Sequence, residues 1–136
     1  MLRRSVSFLE RLTRNSYPGI LCGIAILILT GLPVSAFPPV KPIDGLDKVV
    51  HALMYAAFAF ACLWGYRQQI GANDSAYRKK AMLVAATVGI TLGCATELMQ
   101  EYLVTSRSGD WLDLLADGIG TASGILLFSL FMCRKK

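Results

Sequence analysis

Apolar residues fall in four long blocks, separated by short polar stretches, at about 17–37, 49–66, 81–103 and 113–133. Each is close to the roughly 20 residues a helix needs to cross a hydrocarbon layer of ~30 Å. The blocks lack the 3.6-residue alternation of helices lying on a soluble core; they are apolar nearly all round, as lipid-facing helices are. Buried strands of such length would carry turn residues. The pattern predicts an all-α membrane protein, a single domain over 1–136, with four transmembrane helices in an up-down bundle.

The interruptions refine this picture. Pro33 ends or kinks the first helix, because proline removes a backbone donor. Phe37-Pro38-Pro39-Val40-Lys41-Pro42 reads as an extended connector. Asp44 or Asp47 is expected to cap the second helix. Gly71-Ala72-Asn73-Asp74-Ser75 reads as a polar turn, and 105–110 as a short turn into the fourth helix. Gly89 and Gly93, and Gly120 and Gly124, are each four apart, a spacing that lets helix backbones approach closely in lipid. Such faces serve internal packing, which is the expected use, or a homodimer or other membrane-protein partner.

Composition agrees with a lipid environment. Hydrophobic residues make up 54% and charged residues 17% of 136, more apolar surface than a chain so short can cover in water. Of fourteen Lys and Arg, eleven lie before the first block, between the second and third, or after the fourth. The excess of positive charge on the cytoplasmic side predicts both termini inside. Anionic headgroups account for the net charge of +5, so no nucleic-acid partner is implied. Arg3, Arg4 and Val34-Ser35-Ala36 also fit a cleaved secretory leader, although the polar lead is long for one. The four cysteines, Cys22, Cys62, Cys94 and Cys133, show no zinc spacing and read as small apolar residues.

Hairpin threading gathers the remaining polar residues. Asp47, Lys48 and His51 open the second helix; Glu97, Gln100 and Glu101 close the third; Arg107, Ser108 and Asp110 lie in the next turn; Asp113 and Asp117 open the fourth. Seven of the nine acidic residues fall in this outer half. His51 shares a helix face with Tyr55, and Asp113 with Asp117, each pair one turn apart. A charge a turn deep in lipid is expensive, so His51, Glu97 and Asp117 are expected to face inward and to serve a function. Interfacial pairs, Lys48 with Asp44 and Arg107 with Asp110, are the structural alternative.

Three chemistries fit an outward-facing pocket of Lys48, His51, Tyr55, Glu97, Gln100, Arg107, Asp110, Asp113 and Asp117. His51, Glu97 and Asp117 can ligate a divalent metal. His51 can act as acid or base, with the carboxylates of Glu97, Asp113 and Asp117, while Arg107 clamps a phosphate. The pocket can also hold a headgroup or cell-wall ligand without reaction. Ser106 and Ser108 have no setting as nucleophiles.

These residues resemble a known family. Asp47-Lys48-Val49-Val50-His51-Ala52-Leu53-Met54-Tyr55 is similar to the DKxxHxxxY opening of VanZ-like membrane proteins. Glu97 and Gln100, then Arg107, Asp110, Asp113, Asp117 and Gly120, resemble that family's ExxQ and RxxDxxDxxxNxxG pattern, with Asp117 standing where asparagine is expected. The likeness covers about Leu46 to Gly124. It implies a multi-pass protein of the bacterial inner membrane acting in the cell envelope, the founding member being linked to low-level resistance to the glycopeptide teicoplanin. The resulting expectation is a protein that binds or modifies a phosphorylated lipid or lipid-linked cell-wall precursor. A scaffold modulating a partner enzyme through its glycine faces is the alternative. A transporter is less expected, since no broken helix pair is present.

Overall fold

The computed structural model describes residues 8–39, 41, 43–72, 75–105 and 107–134, with backbone alone for 8–12. Outside them lie Arg3, Arg4 and the start of the leader-like segment, Val40 and Pro42 of the connector, Asn73 and Asp74, Ser106, and Lys135 and Lys136. Five helices follow in order: α1 (Phe8–Gly31), α2 (Leu46–Gly65), α3 (Arg67–Ala72), α4 (Ser75–Leu103) and α5 (Trp111–Arg134). The described residues contain no strand. Among the described residues three helices, α2, α4 and α5, are long and apolar enough to cross a membrane.

The first expected span behaves differently. α1 begins at Phe8, well before Tyr17, runs through the polar Thr13, Arg14 and Asn15, and stops at Gly31 rather than Phe37. Proline disfavours helical backbone in the residue before it. Leu32 still donates to the Ile28 carbonyl, and Pro33 then caps a short 3-10 turn, Val34–Ala36.

The buried faces invert the pattern of a water-soluble bundle. On α4 the buried residues are Ala85, Gly89, Gly93, Thr96, Glu97 and Gln100, while Leu83, Val84, Ile90 and Leu98 point outward. On α5, Asp113, Asp117, Gly120, Thr121 and Gly124 face in, and Leu115, Ile119, Leu126 and Leu127 face out. Large apolar side chains gain little by leaving lipid, so along these two helices the interior takes mainly small residues that pack closely and polar residues that need partners, with Phe128 the large apolar exception.

Glycines set the closest approach. A Cβ on Gly120 or Gly124 would fall on the backbone carbonyls of Ala52 and Ala56, so α2 and α5 run in backbone contact. Gly89 receives Thr121, and Gly93 receives Leu114 and Asp117. Both glycine pairs are therefore used inside the bundle. α1 packs chiefly on α2, where Gly19 meets Cys62, Gly23 meets Phe58 and Gly65 meets the Asn15 carbonyl.

Two local expectations are corrected. Neither Asp44 nor Asp47 caps α2: the cap is Gly45, at φ 80°, a left-handed conformation that glycine adopts without a Cβ penalty. Gly71 and Ala72 close α3 instead of forming a turn. Ile70 pulls that segment into the core beside Leu63, Ala85 and Phe128, and Arg67 donates to the Trp64 carbonyl with its guanidinium 4.5 Å from the Trp64 ring centroid.

Candidate functional site

The amino-terminal ends of α2 and α5 and the carboxy-terminal end of α4 meet at one end of the bundle, where Lys48 joins α2 to the start of α5. Its ammonium donates to Asp47 Oδ2 at 2.9 Å, Asp110 Oδ2 at 3.0 Å and Asp113 Oδ1 at 2.9 Å. An ammonium has three donors, so Lys48 is saturated.

His51, one turn deeper on α2, lies with Nδ1 2.9 Å from Asp117 Oδ1. Asp117 is 1% exposed. A carboxylate accepts, so Nδ1 donates to Asp117, and Nε2 carries a lone pair in the neutral ring or a proton in the imidazolium. That atom faces Asp113 Oδ2 at 3.9 Å, too far for a hydrogen bond. Gly93 makes room for the pair: a Cβ there would lie 3.1 Å from Asp117 Oδ2.

Glu97 enters from α4 and is 9% exposed. Its Oε2 accepts the Asp110 backbone N–H at 2.7 Å, whereas Oε1 is buried without a hydrogen-bond partner. Glu101 accepts the Gly109 N–H at 2.8 Å. Two carboxylates at the end of α4 thus dock the turn that follows it. Asp110 caps α5, its Oδ1 accepting the Leu112 N–H at 2.9 Å. That N–H, and then the Lys48 ammonium, hold the Asp110 carboxyl below the usual carboxylate range.

Six of the nine residues expected from sequence are therefore assembled: Lys48, His51, Glu97, Asp110, Asp113 and Asp117. One ligand atom from each of His51, Glu97 and Asp113 lies within 4.8 Å of the others. Asp117 occupies the opposite side of the imidazole, on Nδ1.

The other three lie around this set. Tyr55 is fully buried, its hydroxyl 3.0 Å from Thr96 Oγ1; since Thr96 donates to the Gly93 carbonyl, Tyr55 is the donor. Gln100 donates to the Thr30 carbonyl of α1 at 3.3 Å. The Arg107 guanidinium lies 5.5 Å from the Phe37 ring centroid and makes no ion pair within 4.0 Å among the described residues; its Nε is buried without a partner. The pairs Lys48–Asp44 and Arg107–Asp110 do not form, because Lys48 takes Asp110 and Asp113 instead.

Thr96, Thr30 and Phe37 escaped sequence reasoning. Thr96 sits four residues before Gln100 on the buried face of α4, a spacing that singles it out once that face is known. Thr30 and Phe37 act through a backbone carbonyl and a ring face, for which no sequence signal exists.

A cavity of about 590 Å³ between α1, α2 and α4 stands apart from this chemistry. It is lined by apolar residues such as Ile24, Leu27, Val84 and Val88, and reaches Tyr77 and Lys80 at the opposite end of α4. All four cysteines are free thiols. Compared with protein-family models, with curated proteins and with solved structures, the chain matches none.

Proposed function

We propose that this chain is a VanZ-like protein of the bacterial inner membrane, whose polar end faces outward and binds or modifies a phosphorylated lipid or lipid-linked cell-wall precursor. In this reading α1 is a fourth span, both termini are cytoplasmic, and a contribution to teicoplanin tolerance follows from action on the cell wall. The observation that carries it is the His51–Asp117 pair. A buried carboxylate fixes one face of the imidazole and leaves Nε2 toward Asp113 and Glu97, as a proton acceptor or a ligand. Arg107, half-buried with no ion pair among the described residues, supplies a planar donor set for a phosphate at the adjacent turn.

The scaffold alternative draws less support. Gly89, Gly93, Gly120 and Gly124, which it needs for a partner, are occupied by contacts within the chain.

The test uses His51→Ala, Glu97→Gln and Arg107→Ala expressed in the bacterium from which the gene comes. Each is expected to abolish the chain's envelope phenotype, read as teicoplanin susceptibility and lipid-linked precursor levels, at unchanged membrane abundance. Wild-type behaviour in all three disposes of the reading. Orientation is checked separately in a background lacking other cysteines: Ser108→Cys is expected to react with an impermeant thiol reagent from outside, and Cys133 only after permeabilisation.

A further inference from the structure

We infer that the outer end of the bundle holds one divalent first-row metal ion, in the range from manganese to zinc, ligated by His51, Glu97 and Asp113. One ligand atom from each lies within 4.8 Å of the other two, and the atoms left without hydrogen bonds are acceptors. Nδ1 of His51 is engaged by Asp117, so Nε2 is the ring atom open to an ion, which takes the place of any proton there. Oδ1 of Asp113 is engaged by Lys48, so Oδ2 faces the ring. Glu97, nine-tenths buried, presents Oε1 with no donor.

Converging lone pairs repel unless a proton or a cation lies among them. Lys48 is the ammonium that reaches this set, and its three donors are already spent on Asp47, Asp110 and Asp113. Five carboxylates, those of Asp47, Glu97, Asp110, Asp113 and Asp117, share that one ammonium and one imidazole. A carboxylate behind a metal-bound histidine, fixing its tautomer, is the arrangement that orients such ligands, and Asp117 occupies that position. One imidazole and two carboxylates suit the borderline ions of the first row. Three protein ligands leave a position open, as in sites that act on a substrate rather than brace a fold.

This inference rests on the function proposed above and gives it a means. The carboxylates by themselves repel a phosphate, and an ion at their centre draws a phosphate oxygen into the open position. With Nε2 on the ion, His51 is a ligand and not a base.

The experiment uses the full chain in nanodiscs, purified without a polyhistidine tag and stripped with a chelator. Mn²⁺ is titrated by electron paramagnetic resonance, with Zn²⁺ as competitor. One ion per chain is expected. Glu97→Gln and Asp113→Asn are each expected to weaken binding at least ~10-fold, and Asp117→Asn by roughly 10–100-fold through the ring. Leu98→Ala, on the lipid face beside Glu97, is expected to bind as the wild type does. Helix content and thermal midpoint of each stripped variant are recorded, so that loss of fold is told apart from loss of ligand. The ion is expected to raise the midpoint of the wild type and of Leu98→Ala. Binding of less than ~0.2 ion by folded wild type, or equal binding by folded Glu97→Gln, overturns the inference.

Native mass spectrometry of the same samples separates the two ideas. A retained lipid that depends on Arg107, with no bound ion, removes the ion and keeps the function. A bound ion with neither lipid nor envelope phenotype does the reverse.

Discussion

Gly118 and Gly120 stand two residues apart on α5, and exchanging each for alanine is expected to have opposite effects. At Gly120 the added Cβ meets the Ala52 carbonyl oxygen, with the carbonyl carbon and Cα both 2.8 Å away. Ordinary contacts of a Cβ begin at 3.4–4 Å, so the two carbons alone require α2 and α5 to part by roughly 0.6–1.2 Å, and the nearer carbonyl oxygen requires more. The obstacle is backbone and cannot swing aside as a side chain would. Overpacking costs about 1–3 kcal/mol, and this case falls at the upper end, near 3 kcal/mol. His51 and Asp117 flank the same contact, and their hydrogen bond, 2.9 Å long, stretches by a similar amount, to roughly 3.5 Å or more, and is lost. At Gly118 nothing lies within 4 Å of the added Cβ, and alanine in a helix interior is favoured over glycine by about 0.5–1 kcal/mol. Unfolding in mixed micelles titrated with dodecyl sulfate, followed by circular dichroism, is expected to separate the two variants by about 3–4 kcal/mol, with wild type between them. Equal stability of the pair refutes the backbone contact between α2 and α5.

Two further outcomes follow from the same geometry. Tyr55→Phe deletes one buried donor while Thr96 keeps the Gly93 carbonyl, so it is expected to cost about 0.6–1 kcal/mol in the same unfolding assay and to leave the fold intact. Asp110→Asn keeps an α5 cap but loses the charge. The Asp110 carboxyl is held below its usual range, so its contribution is fully present above the unfolded value near about pH 4 and fades as pH falls through the folded one. Thermal midpoints of wild type and variant are therefore expected to differ at pH 6 and to converge below about pH 3; a gap that ignores pH contradicts the assignment of Asp110 as an ionised cap.

Helix class and the three strongest apolar helices were legible because a bilayer demands long uninterrupted blocks, and α2, α4 and α5 carry them. Helix ends were not. α4 starts at Ser75 rather than near 81, since Arg78, Lys79 and Lys80 extend past the apolar stretch and long basic side chains tolerate the interface. α1 was harder still: its polar beginning and the proline at 33 shorten the apolar helix, and only the structure locates its end at Gly31. The glycine pairs were readable as close-contact faces, but their partners were not, because spacing along one helix says nothing about which neighbour fills the groove.

The site was legible for the same reason that made it costly. A charge in an apolar block needs a partner, so His51, Glu97 and Asp117 were marked by their depth alone, and threading placed them at one end. Pairing within the cluster depends on rotations that sequence does not encode. Asp113 and Asp117 share a face and a residue type, yet one turn of height gives them different work: Asp117 reaches Nδ1 from below, while Asp113 meets Lys48 with one oxygen and faces Nε2 with the other. Lys48 looked like a partner for nearby Asp44, but its long stem reaches residues 62 and 65 positions away. Lys48 is therefore spent away from Glu97, whose Oε1 is buried without a hydrogen-bond partner. The unmet demand for positive charge at Glu97 is thus a consequence of how Lys48 is spent, and it is the property on which any cation or anion that visits this end of the bundle must act.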